Sequence, residues 1–437
     1  MGCRRLQPPT QPCTSIEAVV ARQLCTGCGI CAALEPDRYR MGDVFDFGRR
    51  PFVRDGAPPA TGAALRACPG IELAHDFARD DPALIGELTD AWGPVRAVFE
   101  GHASDEAIRF AGSSGGATTA LSAYAIERGG FAGVVHTAAR ADVAYLNETV
   151  VSRDRAGLMR GTGSRYAPSS PCDELGRLLD AEGPHLFVGK PCDVAALARA
   201  GRERPELARA VGLTIAFFCA GTPSTRGTLE LLAREGVEVD RLAELRYRGN
   251  GWPGRWTASL GGTDQPRARE LSYEESWGFL QRYRQWRCYI CPDHTGEFAD
   301  IAVGDPWYRA IEPDAPGSSL ILARTARGLR FVEQAAAAGY LTLTAEDAAL
   351  LPRSQPGLLK ARGALWARLL GLRLMRAPRP RYRGMPMFRF WLTELGPIER
   401  FREIAATIKR VFTKRLRRPV AMSERCADRK DCKRGAP

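Results

Sequence analysis

The stretch Cys25-Thr-Gly-Cys28-Gly-Ile-Cys31 decides how the N-terminal part of this chain folds. Its cysteines lie two residues apart, so their three sulfur atoms can turn toward one centre. The glycines between them, Gly27 and Gly29, allow the backbone to wrap that centre closely. The stretch therefore predicts a loop built around one metal centre.

The same spacing opens the bacterial ferredoxin run C-x2-C-x2-C-x3-C-P. The fourth cysteine of that run serves a second cluster in two-cluster ferredoxins, and here Glu35 replaces it. A distant Cys-Pro pair, Cys68-Pro69, offers the ligand that the first cluster still needs. A structural zinc site is the alternative, because four cysteines also suit zinc. We predict one 4Fe-4S cluster held by Cys25, Cys28, Cys31 and Cys68.

The length and composition of the chain fit a multidomain globular protein. Its 437 residues suffice for two or three domains, and no apolar run approaches the length of a membrane span. The first residues, Met1–Arg5, lack the apolar region of a secretory signal. Thirteen cysteines, an odd number, argue against a disulfide scaffold in such a chain. We therefore predict a cytoplasmic protein that uses cysteine for metal or redox chemistry.

The net charge of +12 belongs to the end of the chain. From Leu372 onward there are 19 Lys and Arg against 6 Asp and Glu, a net +13, so the rest is about neutral. No basic domain face is implied, and we expect no nucleic-acid partner.

The pattern of apolar segments predicts an α/β fold. Strand-like runs near Val95–Glu100, Gly133–His136, Leu186–Val188, Leu213–Phe218 and Ile301–Val303 alternate with helical stretches, which suggests a mostly parallel sheet. Glu244–Arg248 and Trp256–Leu260 are predicted to form a hairpin. The predicted regions are a disordered arm (1–20), a ferredoxin-like 4Fe-4S module (21–90), an α/β domain (91–355) and a helical, basic C-terminal region (356–437).

Glycine-rich turns lie where phosphate sites usually form in α/β domains. Gly112-Ser113-Ser114-Gly115-Gly116 leads directly into a predicted helix at Ala117, so free backbone N–H groups can meet an anion there. Gly161-Thr-Gly163-Ser164-Arg165-Tyr166 offers a second flexible backbone with a guanidinium and a ring. Neither turn matches a named fingerprint, so ordinary helix caps remain the alternative.

A second group of cysteines follows the strands of the α/β domain. Cys192 and Cys219 each come just after a predicted strand, and both should emerge at one edge of a parallel sheet. Cys288 and Cys291 form a C-x2-C pair that can complete a set of four. The alternative is that Cys192 and Cys219 are small buried apolar residues. We predict that the four hold a second 4Fe-4S cluster.

These motifs together resemble the coenzyme F420 hydrogenase/dehydrogenase beta subunit family. The resemblance covers roughly Leu24 to Ala377 and rests on six motifs in order, which are Cys-Thr-Gly-Cys-Gly-Ile-Cys, Gly-Ser-Ser-Gly-Gly, Gly-Ser-Arg-Tyr, Gly-Lys-Pro-Cys-Asp, Cys-Ala-Gly-Thr-Pro-Ser and Cys-Tyr-Ile-Cys-Pro-Asp. It implies FAD and one or two 4Fe-4S clusters. It also implies FAD contacts at Ser113, Ser114, Gly115, Gly116, Gly163, Ser164, Arg165 and Tyr166.

The resulting prediction is an iron–sulfur flavoprotein oxidoreductase that receives electrons from ferredoxin or another subunit and acts on a small molecule. The substrate is coenzyme F420 or another compound such as a tetrapyrrole. Lys190 and Asp193 are predicted to hydrogen-bond the flavin or substrate, with a solvated pair at a helix start as the alternative. His294 is a candidate proton donor or an exposed loop histidine. Two rivals are a non-catalytic redox sensor and a zinc-stabilised nucleic-acid-binding protein.

One helix predicted between Pro397 and Pro419 is both amphipathic and basic. Its apolar residues recur at spacings of three and four, and Arg and Lys occupy most of the remaining positions. Such a helix can lie in the interface of an anionic membrane. The alternative is that its apolar stripe packs on the protein's own core.

Overall fold

The computed structural model describes residues 13–261, 268–312 and 315–425. Its strands are β1 Tyr39–Val44, β2 Gly48–Val53, β3 Glu72–Ala74, β4 Ala97–Ala103, β5 Gly133–Ala139, β6 Asn147–Ser152, β7 His185–Gly189, β8 Val211–Phe217, β9 Leu242–Arg246, β10 Trp256–Leu260, β11 Ala268–Leu271, β12 Ile301–Gly304, β13 Ser319–Ala323, β14 Leu341–Glu346 and β15 Arg381–Arg383.

The α-helices of the described residues are α1 Ile16–Ala21, α2 Ile30–Leu34, α3 Ala63–Ala67, α4 Thr89–Trp92, α5 Glu106–Ala111, α6 Ala117–Glu127, α7 Arg155–Arg160, α8 Pro191–Glu203, α9 Pro205–Ala210, α10 Thr225–Arg234, α11 Tyr273–Leu280, α12 Trp286–Tyr289, α13 Ala326–Ala337, α14 Leu350–Ser354, α15 Leu358–Leu374, α16 Phe388–Thr393 and α17 Pro397–Thr413. Among them, none combines the length and the apolar character that crossing a lipid bilayer requires.

An eight-stranded sheet forms the centre of the molecule, in the order β14-β4-β13-β12-β8-β7-β5-β6. The four strands β12, β8, β7 and β5 are parallel neighbours. The pairs outside this group are antiparallel. The α/β class is confirmed, and the predicted parallel arrangement holds at the centre. Short connections such as the one from β5 to β6 favour antiparallel pairing at the sides. The predicted hairpin of β9 and β10 also forms.

Both faces of this sheet are covered. Successive side chains of a strand point to opposite faces, so the apolar residues of the central strands need a cover on each side. Val134 and Leu186 point to a core shared with α6 and α13. Their neighbours Val135 and Phe187 point to the other face, where α8 and the cysteine-containing loop before α2 pack. The first cysteine motif is thus fixed against the sheet itself.

The N-terminal region is more ordered than the sequence suggested. β1 and β2 form an antiparallel hairpin. Ser15 caps α1 by accepting a hydrogen bond from the Ala18 N–H, and Ile16 and Val19 are buried. The predicted disordered arm is therefore wrong from residue 16 onward, while residues 1–12 lie outside the described residues.

The C-terminal helices share a hydrophobic core with this N-terminal region. Leu24 and Leu73 pack in one cluster with Leu365 and Leu372 of α15. β3 pairs in parallel with β15, more than three hundred residues later in the chain. The described parts of the regions predicted as 21–90 and 356–437 thus form one packed unit.

Helix α17 divides its apolar residues between two faces. Thr407 and Val411 are buried against α15, where a Cβ on Gly371 would lie 3.1 Å from the Thr407 Cβ. The other face is exposed, with relative exposures of 81%, 70% and 64% for Ile398, Phe401 and Phe412. Core packing therefore accounts for one face of the stripe and leaves the second uncovered.

We predict that Leu372→Ala destabilises the protein by about 2–5 kcal/mol, because it leaves a cavity in the shared core. Leu374 lies on the same helix with 61% exposure, so Leu374→Ala should change stability by no more than about 0.5 kcal/mol. Denaturant unfolding of both variants measures the difference. Equal stability of the two would contradict the shared core.

Candidate functional site

The first cysteine set is buried between the sheet and the C-terminal helices. Burial raises the pKa of Cys31, and the neighbouring thiols of Cys28, Cys25 and Cys68 raise it further. The four predicted ligands are therefore brought together. The close wrapping predicted for the loop is also present, because a Cβ on Gly27 would lie 2.8 Å from the Arg49 carbonyl oxygen.

The second cysteine set forms at the carboxyl ends of β7 and β8, the edge predicted from the sequence. Burial raises the pKa of Cys219 to about 12, and the nearby thiols of Cys288 and Cys291 contribute in the same direction. Burial likewise raises the pKa of Cys192, which interacts with Cys219 and Cys291. The Thr222 N–H donates a hydrogen bond to Cys288 Sγ at 3.4 Å.

Neither set has the compact spacing of a single-ion site. In the described ranges, no group of three or more His, Cys, Asp or Glu side chains is arranged to hold one metal ion. The sets therefore remain predicted ligand sets.

A ninth thiol, missed from the sequence, contacts the first set. Cys172 is completely buried, and its Sγ donates to the Asp193 carbonyl oxygen at 3.4 Å. Its hydrogen bond to Cys28 lowers the pKa of Cys28. The tripeptide Pro-Cys-Asp occurs at 171–173 as well as at 191–193, and this repetition was the signal that could have identified it.

Lys190 and Asp193 form a buried ion pair at the start of α8. Lys190 Nζ lies 2.7 Å from Asp193 Oδ2, and the same carboxylate accepts the Lys190 N–H at 2.9 Å. Burial lowers the pKa of Lys190, but Asp193 and the thiols of Cys192 and Cys219 raise it overall. The alternative of a solvated pair is therefore wrong, because both side chains are buried.

A cavity of about 300 Å³ opens beside the second cysteine set. Its walls include Lys190, Cys219 and His294 together with residues of both glycine-rich turns. His294 is half-buried, with Nδ1 2.9 Å from the Cys219 carbonyl oxygen, so it is not an exposed loop histidine. Burial lowers its pKa, which favours the neutral imidazole.

The two glycine-rich turns meet at the cavity. The Ser164 N–H donates to Ser113 Oγ at 2.5 Å, and Gly163 has the positive φ of 88° that favours glycine. Helix α6 starts from Gly116, which has no side chain to cap it. Its first residues, 117–119, line the cavity. Free N–H groups at a helix start favour an anion.

Three residues of these turns, Arg165, Gly115 and Ser114, have structural contacts that the sequence did not indicate. Arg165 donates to the Leu245 carbonyl oxygen at 2.9 Å and to that of Ala144 at 2.7 Å, so its guanidinium is already engaged. Gly115 packs against the sheet, where an added Cβ would lie 2.8 Å from the Gly101 carbonyl oxygen. Ser114 Oγ bonds Ser319 Oγ at 2.9 Å.

One wall of the cavity is aromatic, and apart from Tyr166 its residues were not predicted. Arg248 is buried and pairs with Asp305 at 2.7 Å. Its guanidinium lies 4.9 Å from the Tyr273 ring centroid and 5.5 Å from that of Trp307. The Tyr166 ring lies 4.8 Å from the Trp277 ring. Flat rings beside a helix start can accept a planar, phosphate-bearing ligand. Apart from Tyr166, no sequence motif marks these residues, because they come from separate segments.

Fold and site together define an α/β protein in which a thiol set, a helix start and aromatic rings surround one cavity. Two family models match it, one for the N-terminal part and one for the C-terminal part of the "Coenzyme F420 hydrogenase/dehydrogenase, beta subunit", over residues 98–175 and 185–349 respectively. Together they span more than half of the chain. The chain belongs to this family, as its motifs predicted, and has an oxidoreductase role.

A solved structure shares the fold. A chain in the xenon-derivatised F420-reducing NiFe hydrogenase complex from Methanosarcina barkeri matches with 18% identity and a TM-score of 0.50, over 68% of this chain and 98% of that chain. At this identity the match concerns the fold alone. No curated protein sequence matches the chain.

His136, on the cavity wall, should make stability depend on pH. Burial lowers its pKa to about 4, below the unfolded value of about 6.5. The unfolded state therefore takes up the proton first, and stability falls as pH decreases from about 6.5 toward 4. We predict that wild type loses about 2 kcal/mol more than His136→Asn between pH 7 and pH 5, measured by denaturant unfolding. Parallel losses would contradict this assignment.

Proposed function

We propose that this chain is an iron–sulfur flavoprotein oxidoreductase with two 4Fe-4S clusters and one FAD. One observation carries the proposal: Cys219 of the second thiol set lines the same cavity as the two glycine-rich turns. A cluster held there would adjoin a flavin in that cavity. The reaction then links one-electron transfer at the clusters to two-electron chemistry at the flavin.

The thiol sets fit iron–sulfur ligation in number and surroundings. Each set brings together four cysteines, which is the ligand number of a 4Fe-4S cluster. Burial keeps free thiols protonated by raising their pKa, as at Cys31 and Cys219, so the thiolate form needs a bound metal. Zinc ligation of the first set is the competing assignment.

The residues that line the cavity support FAD as its ligand. The uncapped start of α6 supplies N–H groups for a phosphate, and the rings of Tyr273 and Trp307 supply a surface for a planar group. Lys190 lines the cavity and can donate a hydrogen bond to the flavin or substrate, while Asp193 behind it positions the ammonium. His294, as a neutral imidazole, can donate or accept a proton there.

The substrate is coenzyme F420 or, as the alternative, another compound such as a tetrapyrrole. The description of the matching family, a coenzyme F420 hydrogenase/dehydrogenase beta subunit, supports the first choice and an electron-donating partner, either ferredoxin or another subunit. We place the protein in the cytoplasm, with a small-molecule substrate and without nucleic acid. A redox sensor would lack flavin that ferredoxin can reduce, and a zinc-stabilised protein would lack iron.

The exposed face of α17 supports a proposed contact with an anionic membrane surface. Ile398, Phe401 and Phe412 lie along this face, and Arg402 and Lys409 are exposed beside it. Apolar anchors flanked by cations match the chemistry of an anionic lipid interface. Truncation of the helix would not test this cleanly, since Val411 belongs to the shared core.

For the second cluster, we predict that Cys219→Ala lowers bound iron by about four atoms per chain, since four thiolates hold one cluster. Cys13→Ala removes a thiol outside both sets and should leave iron unchanged. Iron analysis after anaerobic purification measures both. Full iron retention in Cys219→Ala would refute the assignment.

For the flavin, we predict that Thr118→Asp lowers flavin content at least tenfold. A carboxylate in the first turn of a helix is normally stabilising, so the fold should persist while the charge repels a phosphate. Thr118→Asn is the neutral control of equal size. Flavin absorbance per chain is the measurement, and stoichiometric flavin in Thr118→Asp would show that no phosphate lies at α6.

For the membrane contact, the double variant Phe401→Ser and Phe412→Ser should lose sedimentation with phosphatidylserine vesicles at low salt, because it removes the apolar anchors. Phe110→Ser removes an exposed ring elsewhere, 46% accessible, and should sediment like wild type. Equal sedimentation of the double variant and wild type would show that this face of α17 does not bind the membrane.

A further inference from the structure

Two buried arginines lie between the two thiol sets. Arg50 on β2 and Arg287 on α12 are each only 2% exposed. Within the described part of the chain, neither has a carboxylate at ion-pair distance. Two other buried guanidiniums do have a carboxylate partner, since Arg248 pairs with Asp305 and Arg362 pairs with Glu297. Arg324 is also buried, and it donates to the carbonyl oxygens of Trp92, Pro94 and Thr295.

Arg287 links the two sets through its hydrogen bonds. Its Nη2 donates to the Pro69 carbonyl oxygen at 3.1 Å, and Pro69 directly follows Cys68 of the first set. Its Nη1 donates to the Ile290 carbonyl oxygen at 3.1 Å, next to Cys291 of the second set. One guanidinium therefore contacts both cysteine loops.

Arg50 makes a second link of the same kind. Its Nη2 donates to Gln285 Oε1 at 3.0 Å, and the Gln285 carbonyl oxygen accepts the Cys288 N–H at 3.0 Å. Its Nη1 lies 3.4 Å from the Cβ position of Gly27, inside the first cysteine loop. This second guanidinium also extends from one set to the other.

Burying such cations without an anion is costly. The Nε groups of both arginines are buried and have no hydrogen-bond partner among the residues that the structure describes. Guanidinium does not lose its proton in proteins, so its charge persists. Isolated buried charges cost several kcal/mol each unless an opposite charge compensates them. Thiolates of both sets are candidates for that opposite charge, because the hydrogen bonds of Arg287 reach both cysteine loops. Burial lowers the pKa of Arg50, and Cys25 and Cys288 offset part of that effect.

We infer that Arg50 and Arg287 form a cationic bridge that compensates the negative charge of both iron–sulfur sites at once. The inference rests on the proposed function, because it requires clusters in both thiol sets. Cluster potentials depend on net charge and on hydrogen bonds to sulfur. Fixed positive charge between the sites favours the more negative, reduced form of each cluster, so the bridge raises both reduction potentials.

The test is a redox titration of the anaerobically purified full-length chain, followed by electron paramagnetic resonance. Arg287→Gln and Arg50→Gln remove one charge each. Both midpoint potentials should fall in either variant by at least a tenfold change in the reduction equilibrium, about 59 mV for a one-electron couple. Arg287→Lys retains the charge and should shift them less. Cys172→Ala alters a contact to Cys28 of the first set and should shift only one potential.

Unchanged potentials in glutamine variants that retain full iron would overturn the bridge. Iron loss in Arg287→Gln but not in Arg287→Lys supports it, because charge is then what holds the anionic group. Iron loss in both variants contradicts it, because shape would then matter rather than charge. A wild-type protein without iron would instead refute the proposed function, so the two failures are distinguishable.

Discussion

The arrangement of this molecule depends on placing ionisable sulfur in a protein interior. Eight thiols in two sets lie beside the central sheet, and burial raises the pKa of thiols in both, as at Cys31 and Cys192. Buried thiolates require compensating positive charge, from a metal, a guanidinium or an ammonium. The surroundings provide it, with Arg50 and Arg287 between the sets and Lys190 beside the second set.

Two parts of the fold bury the thiol sets: the carboxyl edge of the parallel strands and the packed unit of the N-terminal loop and α15. The parallel centre of the sheet places Cys192 and Cys219 at one edge, next to the start of α6 and the cavity. The N-terminal loop and helix α15 share one hydrophobic core, which includes cysteines of the first thiol set. The C-terminal region is thus part of the wall of the first site, while one apolar face of α17 stays exposed.

Local sequence patterns made the two thiol sets and the start of α6 predictable. The C-x2-C-x2-C spacing and the strand-end cysteines identified both thiol sets, and Gly116 marked the start of α6. Apart from Tyr166, the aromatic wall escaped prediction, as did Cys172 and the bridging arginines, because the role of each depends on long-range contacts. Nothing in the sequence distinguishes Arg287 from other basic residues. Its position beside the first thiol set follows from its hydrogen bond to the Pro69 carbonyl oxygen. The burial of α17 against α15 likewise depends on tertiary packing, which an amphipathic pattern cannot assign to one partner.

The iron, acid-labile sulfide, zinc and flavin content of the anaerobically purified chain decides whether both thiol sets hold clusters beside a flavin. Two 4Fe-4S clusters and one flavin correspond to about eight iron atoms, about eight sulfides and about one FAD per chain, with no zinc. Protein that binds zinc, and neither iron nor flavin, would contradict this assignment.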